Sequence, residues 1–139
     1  MKNELKSTRK DDISDHLPEV LQYDAGRWLG TWHNTLVETR HIQRLEILEK
    51  DSKYYIRVFG ACDPEPCDWG TAELSLFNSG VSTQHTEGFT ALYDLGFCET
   101  QLSALEKQNV LVISTYTTFK DESQRHNYYL REFYYKKQG

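Results

Sequence analysis

Nothing in this 139-residue chain is long and apolar. No run approaches the roughly 18–20 apolar residues that a membrane-spanning helix needs. The opening stretch "MKNELKSTRKDDISDH" lacks the apolar segment of a secretory signal. The expected location is therefore the cytoplasm, with no membrane partner. Cysteine is scarce and odd in number, three in all, which excludes the dense disulfide framework of small secreted domains. Charge of one sign is missing too. Sixteen basic and twenty-one acidic residues are interspersed, for a formal net charge of −5, so nothing electrostatic favours nucleic acid. There is no G-x-S-x-G, no Walker loop and no dinucleotide fingerprint. The five histidines, His16, His33, His41, His85 and His126, show no ligand spacing such as H-x-x-x-H. The sequence thus assigns no catalytic residue, no metal and no cofactor.

What is present is aromatic. Aromatic residues make up 13 % of the chain, with nine tyrosines and six phenylalanines. Such residues favour strands and bury much area per position, which suits a single small β domain. Residues 1–25 read as a flexible arm carrying one short helix, capped at Ser14 or Asp15, with Pro18 in its first turn and Gly26 as its stop. Residues 26–139 read as the β-barrel domain. Eight β-rich runs follow one another at 27–35, 40–49, 54–61, 69–77, 88–95, 97–105, 110–119 and 126–136. Their connections are too short for parallel crossovers, so successive strands pair antiparallel. Such a meander hides its edges by closing into an up-and-down barrel. In "HIQRLEILE" the apolar positions change phase between Ile42 and Leu45, which predicts a β-bulge. "NVLVISTYTTF" and "HNYYLREFYYK" have no cleanly polar face, so alternation alone does not say which side looks inward.

"GTWHN", Gly30 to Asn34, resembles the opening strand of the calycins: lipocalins carry G-x-W there, fatty-acid-binding proteins often G-T-W, and avidins G-T-W-x-N. "YLREFYYKK" looks like the closing R-x-Y-x-K strand of fatty-acid-binding proteins. The resemblance implies an all-β, antiparallel eight-stranded up-and-down barrel in which Trp32 plugs the floor against Arg131. The brief "TLVETR" leaves no room for the two helices of fatty-acid-binding proteins or the long first loop of lipocalins, so the avidin pattern fits best. On that pattern Asn34 points into the cup. No tryptophan follows Trp69, however, so the tryptophan-lined biotin pocket is not implied. Phe133 stands where the fatty-acid-binding pattern has a tyrosine after Arg131, which removes half of a carboxylate clamp. "TRHIQRLEI" and "GACDPEPCDWG" match none of these families' motifs and suggest a separate, bacterial barrel family.

Polar and aromatic residues that would face a cup are Asn34, Arg44, Tyr55, Arg57, Tyr93, Tyr116, Tyr129 and Arg131; concave sites combine apolar walls with a few placed donors. Against this stands a barrel filled by its own side chains. Trp32 and Trp69 are expected to cover barrel ends. Cys62 and Cys67 flank "DPEP" and are open to three readings: free thiols in a structural loop, a disulfide, or metal and redox work. Cys98 reads as a small core residue, and Asp68 either starts a strand or pairs with Arg40 or Arg44. The leading expectation is non-enzymatic binding of a small, partly polar or aromatic ligand. The alternative is a plugged barrel acting as a protein-interaction or homo-oligomeric assembly module. A third class, isomerase or cyclase chemistry in the cup, rests on barrel analogy alone.

Overall fold

The computed structural model describes residues 23–137. Most of the segment expected to hold a helix lies outside them, and its end, Gly26–Trp28, forms a 3₁₀ turn. Nine strands follow: β1 (Gly30–Asn34), β2 (Ile42–Lys50), β3 (Lys53–Gly60), β4 (Cys67–Glu73), β5 (Ser75–Asn78), β6 (Thr86–Asp94), β7 (Cys98–Lys107), β8 (Val110–Phe119) and β9 (Tyr128–Lys136). They form one sheet in the order β4-β3-β2-β1-β9-β8-β7-β6-β5. Every pair is antiparallel, and β9 returns to β1 with Asn34 opposite Tyr134. The result is an up-and-down, nearly closed barrel.

The ninth strand corrects the count of eight, and the reason is local. The run 69–77, expected as one strand, breaks at Leu74. This residue is buried, and its N–H donates to the Tyr54 carbonyl at 2.9 Å. Before it, β4 pairs with β3; after it, β5 pairs with β6. A single stretch of chain therefore supplies both edges of the sheet and joins them at one end of the barrel. At the other end the gap is crossed by Tyr93, whose hydroxyl donates to the Ile56 carbonyl at 3.0 Å and the Gly70 carbonyl at 2.8 Å.

Two hairpins turn on residue pairs with positive φ, Asp51–Ser52 and Gln108–Asn109. Turns of this hand match the right-handed twist of the flanking strands. The predicted bulge is present: the β2–β3 register slips between Ile42 and Arg44. This slip lets Ile42, Leu45 and Ile47 all reach the core.

The floor is built on tryptophan. Trp28 and Trp32 are 0 % and 2 % exposed, and Trp32 Nε1 donates to the Trp28 carbonyl at 2.9 Å. Burying each such side chain stabilises by about 2–3 kcal/mol. Phe89 packs on Trp28 with ring centroids 5.5 Å apart. The cation over the floor is Arg27, 5.3 Å from the Trp28 ring and bonded to Glu106. Lys136 Nζ adds a bond to the Arg27 carbonyl at 3.0 Å. Arg131 does not take this role. Tyr134 and Glu132 turn inward, so alternation places Arg131 on the outer wall, its guanidinium 5.9 Å from the Phe133 ring.

Candidate ligand site at the barrel mouth

The interior divides along its length. The floor half is packed with apolar side chains such as Ile47, Ile56, Phe89, Ala104 and Leu111. Toward the mouth the lining becomes hydroxylic. Thr100, Thr115 and Thr117 are all buried, and the hydroxyls of Thr100 and Thr117 lie 3.2 Å apart. Tyr93 stands opposite Thr100 across the β6–β7 pair, and Tyr128 opposite Thr117 across β8–β9.

Above this layer lies a cavity of about 160 Å³ lined by Arg40, His41, Trp69, Thr115, Tyr128 and Leu130, among others. Trp69 belongs to β4 and Thr115 to β8, opposite walls of the barrel, so this space is the top of the lumen. Trp69 is held edge-on to Tyr93, with centroids 5.5 Å apart, and lies flat over Gly60. A Cβ at Gly60 would stand 2.7 Å from Trp69 Nε1, so glycine sets how deeply the indole lies against the wall. The rim is aromatic as well: His41 and Phe119 flank Tyr128 at 5.9 and 6.1 Å.

One rim of the cavity is the turn between β3 and β4. There Cys62 and Cys67 form a disulfide with Cα atoms 5.5 Å apart, which settles the three readings of this pair. Cys98 is free and buried. Asp68 pairs with Arg57 rather than Arg40 or Arg44, with Arg57 Nε 3.2 Å from Oδ2. That hydrogen bond, with a second from the Gly70 N–H, holds the Asp68 carboxyl below its ordinary range.

A second polar group sits in the lumen wall. Asn34 Nδ2 donates to Glu132 Oε1 at 2.7 Å and to the Ile42 carbonyl at 2.9 Å. Thr39 Oγ1 donates to the same carboxylate at 3.0 Å. Tyr134 donates to the Ile42 carbonyl at 3.2 Å, and burial, with the Glu132 charge beside it, raises its pKa. The cluster ties the β1–β2 loop to β9, so Asn34 points inward with its hydrogen bonds already committed to the protein.

Of the eight residues expected in the cup, Asn34 and Tyr93 are buried inside and contribute to its walls. Tyr55, Arg44 and Arg57 stand on the outer wall of β2 and β3, where both guanidiniums lie over Phe59, at 3.9 and 5.2 Å. Tyr116, Tyr129 and Arg131 stand on the outer wall of β8 and β9, the two tyrosine rings 5.0 Å apart. Sequence reasoning passed over Thr100, Thr115, Thr117, His41, Tyr128 and Leu130. One signal for them existed: in "VLVISTYTTF" the face holding Leu111 and Ile113 continues into Thr115 and Thr117, an apolar stripe that turns hydroxylic. No protein family, curated protein or solved structure matches this chain.

Proposed function

We propose that the protein binds a small, partly polar or aromatic molecule in the mouth of the barrel, without chemistry. The observation that carries this reading is the cavity of about 160 Å³ set between Trp69, Tyr128 and Leu130 on one hand and the Thr115 hydroxyl on the other. Apolar walls with a few fixed donors are the composition of small-ligand sites. A water molecule occupies about 30 Å³ of liquid, so the space suits a ligand of roughly one ring. The packed floor excludes a long acyl chain. Arg40 and His41 at the rim favour a ligand with an anionic or carbonyl group directed outward. The Cys62–Cys67 disulfide is of a kind that persists in oxidising compartments, which favours such a setting over the cytoplasm.

Native mass spectrometry of the protein purified from its own host, followed by denaturing extraction, tests the reading. The expected result is a stoichiometric small mass lost on denaturation, and absent from a Leu130→Trp variant whose added ring fills the cavity. A wild-type chain that carries no mass and takes up none from an extract of its host would sink it.

A further inference from the structure

The outer faces of β6 to β9 carry two apolar rows set by the register of the sheet. Tyr129, Tyr116, Gln101 and Leu92 stand in line, each opposite the next across a strand pair. Nearer the floor, Phe133, Val112 and Leu105 form a second line that ends at Gly88. A Cβ at Gly88 would lie 2.8 Å from Leu105 Cδ2, so glycine lets this leucine lie flat on the sheet. Between the rows run Arg131, Ser114, Ser103 and Thr90.

These apolar side chains are open to solvent: Leu92 58 %, Leu105 59 %, Tyr116 48 %, Tyr129 53 % and Phe133 43 % exposed. An aromatic side chain presents about 150–250 Å², so the five leave roughly 500–600 Å² of apolar surface uncovered on one face. The largest apolar patch of an ordinary monomer is about 300–600 Å², and a stable interface takes about 800 Å² from each partner. The two rows with the hydroxyl row between them reach that size.

We propose that this face joins two copies of the chain in an isologous dimer whose two-fold axis runs along the hydroxyl row, across the strands. Rotation about that axis lays Tyr129 and Tyr116 of one copy on Phe133 and Val112 of the other. The charges select this register. Glu99 and Lys107 stand at the two ends of the outer face of β7, each four residues from Ser103. The rotation therefore sets Glu99 opposite the partner's Lys107, twice per dimer. An axis along the strands would instead stack the acidic end, Asp94 and Glu99, on itself.

Sedimentation equilibrium on the full chain tests the proposal, with circular dichroism as the check on folding. The expected result is a dimer that Leu105→Arg converts to monomer. Glu99→Lys and Lys107→Glu should each weaken association about tenfold, and the double reversal should restore it. A wild-type chain that stays monomeric at high concentration overturns the proposal and leaves the face to another protein or to none. So does a dimer that neither Leu105→Arg nor the charge reversals disturb.

Discussion

His33 illustrates how a single side chain records its surroundings. It alternates with the buried Trp32 and Asn34 and so stands on the outer face of β1, half-buried beside Tyr135 at 5.9 Å. Burial lowers its pKa first, and the charges of Lys137 and Arg44 lower it further. The native state therefore prefers neutral imidazole. Its contribution to stability is full above the unfolded value of about 6.5 and is lost as pH falls through the lower folded value. The His33 ring proton, followed by NMR, should titrate with a midpoint below about 6.5. His33→Gln should flatten the fall in stability between about pH 7 and 5. A midpoint above the free-imidazole value would contradict the assigned environment.

At the scale of elements, the β3–β4 hairpin is where covalent and non-covalent restraint meet. The disulfide closes a loop of sequence separation 5, and chain-entropy arguments give such a short loop about 2 kcal/mol. A Cys62→Ser, Cys67→Ser double variant should lose about that much in urea unfolding while the barrel signature persists in circular dichroism. Loss of all structure would mean that the hairpin organises the whole sheet. The same element marks the boundary of what sequence could reveal. The first strand, the bulge at Ile42 and the short antiparallel connections were legible because each depends on neighbours in sequence. The break at Leu74 was not, because it depends on a carbonyl twenty residues away, at Tyr54. The cup suffered more. Arginine and tyrosine are as much at home on an outer barrel wall as in a pocket. Only the pairing of β8 with β9, which turns Thr117 and Tyr128 inward and Tyr116 and Tyr129 outward, decides between them.

For the molecule as a whole, closure is uneven. One end is joined by the chain itself at Leu74, the other by the hydroxyl of Tyr93 reaching two carbonyls. Burial raises the pKa of that hydroxyl far above neutrality, so it stays a donor at any physiological pH. Tyr93→Phe should cost about 1–3 kcal/mol, because the carbonyls lose their donor without access to water. Hydrogen exchange should quicken in β4 and leave β7 and β8 protected; equal protection throughout would show that the gap holds without it. The placement of the tryptophans has a practical consequence. Two indoles lie sealed in the floor and the third lines the mouth, so the chain carries its own optical reporter. A water-borne quencher reaches Trp69 and spares Trp28 and Trp32, and any molecule seated above Thr115 shields that one emitter. Occupancy can then be read without a label, as the share of emission that iodide no longer extinguishes.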